Sequence, residues 1–206
     1  MQINRTHSKN TSAFFIDRDG VIIKIVRYPS KKEPFDSAQN PKDVKLVPNI
    51  DKVILWLNQQ HIPVIEISNQ PGVAKGKMSQ KTSDAIETKT HYLLKKSKCK
   101  INYVYICPHH PQGIVPKLTK ICSCRKPKPG LLIKASKDLN INLNKSIFLG
   151  DSTSDIEAGK KAGCSTFLYF HHHNLPEKVK LAQNSNPDFQ SINHLQTLSI
   201  LKKYFS

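Results

Sequence analysis

Apolar positions recur along this chain with two periods. Residues 12–17 carry Phe14-Phe15-Ile16, an aromatic run that predicts a buried strand. After Pro48, Ile50, Val53, Ile54 and Leu57 fall at i, i+3, i+4 and i+7, the stripe of a helix laid against a core. Residues 62–67 are dominated by β-branched side chains and predict a second strand, leaving at Ser68-Asn69-Gln70-Pro71-Gly72. Residues 79–97 predict a helix with Ile86, Leu93 and Leu94 on its apolar face, and residues 101–106 a third strand. Pro129 and Gly130 introduce a helix with Leu132, Ala135 and Leu139 on one side. Residues 146–149 predict a fourth strand ending at Gly150-Asp151. A short helix over 154–162, closed by Gly163, and a fifth strand over 165–170 follow. Ile192, Leu195, Leu198 and Leu201 stand at three-residue steps and predict a docked C-terminal helix.

Between these elements the chain is polar. Residues 1–11 read as a loose leader. Residues 22–47 are rich in Lys, Pro, Asp and Asn, and Pro29, Pro34 and Pro41 break any period. That excursion is expected to be a loop on the substrate side. The alternation predicts an α/β fold, a single doubly wound, mostly parallel sheet in one domain over residues 1–206. Strands ending at Asp17, Ser68 and Asp151 would then bring their polar ends to one edge.

Composition narrows the class. Hydrophobic residues are 38% of the 206, and no apolar run reaches the ~20 residues that span a bilayer. The N-terminus has no signal-peptide core, so a cytoplasmic protein with no membrane partner is expected. The net charge is +17. Its lysines are scattered, with no Arg-rich cluster interleaved with aromatics, so a solvated basic surface favouring small anions is expected over nucleic-acid binding. A nucleic-acid-directed phosphatase or binding protein is the alternative of a different class. The five cysteines, without a secretion signal, argue against a disulfide scaffold. A monomer is expected.

Asp17 and Asp19 stand one residue apart at a strand end, before Gly20. Two such acids can act as nucleophile and proton-transfer group around one cation. Asp151 and Asp155 follow another strand, and Ser68, Asn69, Arg125 and Lys126 converge by topology. Clustered carboxylates repel unless a hard cation sits among them, and Mg²⁺ takes oxygen ligands. A lysine and a hydroxyl suit phosphoryl oxygens, so the set points to phosphoryl transfer. Taken singly, Ser68 and Asp155 could also be helix or turn caps.

Asp17-Arg18-Asp19-Gly20, Ser68-Asn69, Lys126 and Gly150-Asp151-Ser152-Thr153-Ser154-Asp155 resemble, in order, the four motifs of the haloacid dehalogenase superfamily of phosphatases. The resemblance implies that superfamily's Rossmann-like fold, here without a large cap domain. It also implies that Asp17 attacks the phosphoryl group and that Asp19 protonates the leaving oxygen and then activates water. Ser68 and Lys126 would stabilise the transferred group. Mg²⁺ would be held by Asp17, the Asp19 carbonyl and Asp151. Asp155, on the same resemblance, would orient Lys126 or the metal waters.

A second signal is Cys107-Pro108-His109-His110-Pro111-Gln112-Gly113 with Cys122-Ser123-Cys124-Arg125-Lys126-Pro127. Three thiolates and an imidazole, from His109 or His110, suit a closed, structural Zn²⁺ site tying down the loop over 107–124. Together with Asn69-Gln70-Pro71-Gly72-Val73-Ala74-Lys75-Gly76, these segments closely resemble the bacterial D-glycero-D-manno-heptose 1,7-bisphosphate phosphatases and their relatives, the histidinol-phosphate phosphatases. That resemblance implies Cys107, His109, Cys122 and Cys124 as zinc ligands. It implies removal of the 7-phosphate of a small phosphorylated sugar, with histidinol phosphate as the alternative substrate. Ile25, Val26, Arg27 and Tyr28, with Ser68, Asn69, Gln70 and Pro71, would line the substrate, and Arg125 and Lys126 would contact it. Three departures stand out. Val21 replaces a common threonine, residues 29–42 are an insertion, and Ser152 stands where some heptose enzymes carry a lysine. His171-His172-His173 reads as a solvated loop.

Overall fold

The computed structural model of the chain describes residues 11–29, 34–170 and 176–205. Its elements run β1 (Phe14–Ile16), β2 (Val26–Arg27), β3 (Phe35–Asp36), α1 (Ile50–Gln59), β4 (Val64–Asn69), α2 (Gln80–Lys96) and β5 (Tyr103–Cys107). There follow α3 (Gly130–Leu139), β6 (Ile147–Gly150), α4 (Thr153–Ala162), β7 (Ser165–Tyr169), α5 (Pro176–Asn184), β8 (Phe189–Ser191) and α6 (His194–Tyr204). Six strands form one sheet in the order β5-β4-β1-β6-β7-β8, every pair parallel. The chain builds outward from β1 to β4 and β5, then returns to β1's other side with β6. The strand order therefore reverses beside β1, where open parallel sheets leave a crevice at their carboxyl ends.

The two-residue period of a strand divides β1 between two cores. Phe14 and Ile16 join the stripe of α1 (Ile50, Val53, Ile54, Leu57), Ile86 and Leu94 of α2, and Leu201 of α6. Phe15 points the other way, onto Leu131, Leu132 and Ala135 of α3 and Ala158 of α4. Both faces of the sheet are covered, which is why its strands read as continuous apolar runs. Among the described residues no helix is long and apolar enough to cross a membrane.

The structure corrects the reading in three places. The 22–47 excursion is not all loop: β2 and β3 pair antiparallel, Val26 with Asp36 and Arg27 with Phe35. Two-residue strands are too short to show a period. The last segment holds α5 and β8 before the C-terminal helix, which begins only at His194. Ile192 and Leu195 are 58% and 50% exposed, whereas His194, Thr197 and Leu201 are buried. Three-residue steps drift around a helix of 3.6 residues per turn, so that row could not stay on the core side. His171-His172-His173 and residues 1–10 lie outside the described residues.

The α1 stripe carries a large share of the first core. Leu57→Ala is expected to lower unfolding free energy by about 3 kcal/mol, as for other fully buried leucines. Urea titration followed by circular dichroism measures it.

Candidate active site

Register brings three strand ends together. Ile16 pairs with Glu66 on β4 and Leu149 on β6, and the Asp17 amide donates to the Leu149 carbonyl at 2.9 Å. Asp17 thus leaves the sheet between the ends of β4 and β6, with Ser68-Asn69 on one side and Asp151 on the other. Gly20 turns the chain away at φ +83°, and a Cβ there would sit 2.1 Å from Asp151 Oδ2. Glycine is needed for the turn and for the room it leaves that carboxylate.

Lys126 enters this edge from the loop before α3. It is 4% exposed, and its ammonium donates to the Ile67 carbonyl at 2.9 Å. The same nitrogen lies 2.9 Å from Asp17 Oδ1 and 2.6 Å from Asp155 Oδ1. The ammonium is thus held by one carbonyl and two carboxylates. Asn69 grips the lysine's backbone: its Oδ1 accepts from the Lys126 amide at 3.0 Å and its Nδ2 donates to the Lys126 carbonyl at 3.1 Å. Both Asn69 amide groups are thereby used in holding the loop. Asp155 caps as well as pairs. Its Oδ2 accepts from the Ser152 amide at 3.1 Å and the Ser152 hydroxyl at 2.6 Å, while Oδ1 faces the lysine.

The electrostatics follow from burial. Desolvation raises the Asp17 carboxyl to about 6, against the downward pull of Lys126, and Asp155 and Asp19 push the same way as burial. Burial, reinforced by Asp155 and Asp17, pushes Asp151 well above the usual carboxylate range. Burial disfavours the Lys126 charge, but Asp155 and Asp17 outweigh it and raise its pKa. Oxygen atoms of Asp17, Asp151 and Asp155 lie within 4.8 Å of one another. Three acids so close, facing one lysine, are a donor set that fits a hard divalent cation.

Ser68 is 1% exposed, and its hydroxyl accepts from Gln70 Nε2 at 2.9 Å. The same Gln70 nitrogen donates to Asp19 Oδ2 at 2.5 Å. Beyond Gln70 opens a cleft between the 22–47 excursion and the segment after β4. It is lined by Asp36, Ser37, Gln39, Gln70, Pro71, Gly72, Lys75, Lys77 and Met78. Gln70 and Pro71 were expected there; Ile25, Val26, Arg27 and Tyr28 are not among its walls. Val26 and Arg27 form β2, and the Tyr28 hydroxyl donates to Asp43 at 3.1 Å and accepts from the Gln39 amide at 2.9 Å. Sequence reasoning missed Asp36, which pairs with Lys77 at 2.5 Å across the cleft. Its only signal was an acid inside a basic insertion.

The cysteine-histidine loop closes on itself. Cys107 Sγ lies 3.6 Å from Cys122 Sγ and 3.1 Å from Cys124 Sγ, which is 3.2 Å from Cys122 Sγ. His109 Nδ1 is 3.3 Å from Cys124 Sγ and 3.8 Å from Cys107 Sγ. Zn–S bonds of about 2.3 Å make tetrahedral edges of roughly 3.8 Å, so these four atoms fit a zinc ion. Burial pushes the Cys107 thiol up, so a bound cation is what would hold it as a thiolate. His110 is not part of the set; its Nδ1 accepts from the Gln112 amide at 3.1 Å. Arg125 Nη1 donates to the His109 carbonyl at 3.2 Å, tying the arginine to the same loop.

A parallel sheet with paired acids on its first strand, a buried lysine and two further acids after a later strand defines a phosphatase of the haloacid dehalogenase type. The HAD-hydrolase-like family model matches residues 123–198. A D-glycero-alpha-D-manno-heptose-1,7-bisphosphate 7-phosphatase of Photorhabdus laumondii is 38% identical over 181 residues, 87% of this chain and 93% of that protein. The beta-anomer 7-phosphatase of Mesorhizobium japonicum is 32% identical over 77% of this chain and 69% of its own length. Among solved structures, the D,D-heptose 1,7-bisphosphate phosphatase from B. bronchiseptica, complexed with magnesium and phosphate, superposes with a TM-score of 0.77. It is 25% identical and covers 94% of this chain and 99% of its own. The chain belongs to the heptose-1,7-bisphosphate 7-phosphatase family, and it is a phosphatase.

Removing one partner of a buried ion pair leaves the other charge stranded. Asp155→Ala also strips the cap from α4. It is expected to destabilise the protein by about 3–5 kcal/mol, whereas Asp155→Asn, which keeps the cap acceptor, should cost less. Denaturant melts of both variants decide this.

Proposed function

We propose that this enzyme removes the 7-phosphate from a D-glycero-D-manno-heptose 1,7-bisphosphate by way of an aspartyl-phosphate on Asp17. The reading is carried by the Asp17–Lys126–Asp155 cluster at the sheet edge, with Asp151 facing it across the space at Gly20. The named activity of the 38% identical relative supports the substrate.

Asp17 attacks phosphorus while the Lys126 ammonium beside it supplies positive charge for a phosphoryl oxygen. Asp19 gives its proton to the leaving sugar oxygen and then takes one from the water that hydrolyses the aspartyl-phosphate. Ser68 steadies the phosphoryl group beside Gln70. The carboxylates of Asp17 and Asp151, with the Asp19 carbonyl, are the proposed Mg²⁺ ligands, and the magnesium in the B. bronchiseptica structure supports this choice. When bound, Mg²⁺ offsets the repulsion between the acids and the phosphate. Ile25 to Tyr28, Ser68 to Pro71, Arg125 and Lys126 are the proposed substrate contacts, with Arg125 aimed by its bond to the zinc loop. Cys107, His109, Cys122 and Cys124 are the proposed structural zinc ligands.

The purified enzyme with Mg²⁺ should release phosphate from heptose 1,7-bisphosphate, tested as both anomers, in preference to histidinol phosphate. A preference for histidinol phosphate would refute the substrate. In the same assay Asp17→Asn should lose all detectable turnover and keep its circular dichroism spectrum, because the isosteric amide is a poor nucleophile.

Zinc removal acts at one step's distance, through Arg125 and Lys126. The protein as purified should carry about one zinc per chain by metal analysis. Chelation should lower turnover while the sheet and helices persist in the far-ultraviolet spectrum. Full activity in zinc-free, folded protein would sink the positioning role.

A further inference from the structure

Behind the candidate acid Asp19 lies a buried polar group that none of the motifs accounts for. The Arg18 side chain is 3% exposed; its Nη1 donates to Glu87 Oε2 at 2.9 Å and its Nη2 reaches Asp19 Oδ2 at 3.4 Å. Glu87 sits on α2, and its other oxygen lies 2.8 Å from His91 Nε2 one turn on. Glu66 projects from the middle of β4 and is fully buried. Among the described residues neither of its carboxyl oxygens has a hydrogen-bond partner. It lies close enough to act on the Arg18 charge, together with Asp19 and Glu87. A guanidinium this deep is stable only when carboxylates fix where its fork points.

The geometry at Asp19 gives that fork a consequence. Arg18 and Gln70 both donate to Oδ2, Gln70 at 2.5 Å. Oδ1 is buried and accepts from neither. Two donors on one oxygen lock the carboxyl rotation, so the orientation of Asp19 depends on where those donors stand. Gln70 is fixed by its backbone, whose amide donates to the Cys107 carbonyl at 2.8 Å. Arg18 is fixed by Glu87, since that ion pair is its shortest.

We propose that Glu87 is a positioning residue for Asp19, acting through the Arg18 guanidinium. Glu87 holds one arm of the fork, so that only the other reaches Asp19. Without Glu87 the fork is free to turn both arms onto Asp19, rotating the carboxyl and engaging Oδ1. The inference rests on the acid/base role proposed for Asp19. It differs from a packing role because it singles out the step in which the leaving oxygen needs a proton. A sugar alkoxide needs that proton, whereas p-nitrophenolate is stable enough to leave without it.

The test compares these leaving groups in the full-length enzyme with Mg²⁺. Wild type, Glu87→Gln, Glu87→Ala and Glu87→Asp are assayed on heptose bisphosphate in the steady state. The same proteins are assayed on p-nitrophenyl phosphate in a single turnover, which reads only the first, phenolate-releasing step. General acid catalysis is worth about 10²–10⁴-fold, and misaiming Asp19 should forfeit about tenfold or more of it. The expected result is that fall in kcat on the sugar phosphate for Glu87→Gln and Glu87→Ala, with KM nearly unchanged. The nitrophenolate rate should stay within about twofold, and Glu87→Asp should recover part of the loss. A parallel fall on both substrates, or no fall on either, overturns the proposal. Thermal melts accompany each assay, and Glu87→Gln, which keeps the side chain's size, is read if Glu87→Ala does not fold. If wild type itself ignores heptose bisphosphate, the substrate assignment fails alone. The comparison then runs on whichever sugar phosphate wild type hydrolyses.

Discussion

A buried ammonium organises the candidate site. Lys126 donates to the Ile67 carbonyl and lies between the Asp17 and Asp155 carboxylates, each 2.9 Å away or nearer. Such a pairing contributes little net stability, because desolvating the charges offsets their attraction. Its value is geometric. It holds the side chain of Asp17 against a fixed positive charge and leaves Asp151 beside it with its own charge strongly disfavoured. Acids in this arrangement favour whatever brings further positive charge, and a divalent cation with a phosphate fits that demand.

The rest of the fold can be understood as the support for that contact. The parallel sheet supplies it by placing β4, β1 and β6 side by side. The loop before α3 supplies the lysine, and Asn69 clamps that loop to the end of β4 through two hydrogen bonds. The cysteine-histidine cluster stands immediately upstream and joins the end of β5 to the same loop. The segment between Cys107 and Cys122 buries none of its apolar side chains, and Ile114 and Ile121 are exposed. Four ligands around one ion would do the work of a core there.

The cleft beside the site is built from different material. The cleft walls come from the 22–47 excursion and the segment after β4, joined by Asp36 and Lys77. The cleft-facing residues are mostly polar, while Ile22, Ile23, Ala38, Val44 and Val47 of the same excursion are buried in the first core. The catalytic edge and the cleft meet at Gln70, which touches Ser68 and Asp19 and also lines the opening. One side chain thus connects the cleft to the cluster of acids at the sheet edge.

The strands and helices that carry the site were legible in the sequence because each covers a full period against a continuous core. The α1 stripe matches residue for residue. The paired acids, Ser68 and Asp151 could be picked out because their chemistry is unusual at strand ends, and Lys126 as a cation entering from a loop, while His109 was separated from His110 only by resemblance. The hairpin of β2 and β3, the strand β8 and the true face of α6 were not legible. Two or three residues show no period, and a three-residue step does not follow a helix. Nor could the order of residues reveal that Glu87, one charge among many on α2, pairs with Arg18. Local pattern determines which segments fold and which groups they carry to an edge. Which buried charges face one another is decided by strand order and helix placement, because Coulomb attraction and desolvation depend on distances in space that sequence separation does not set.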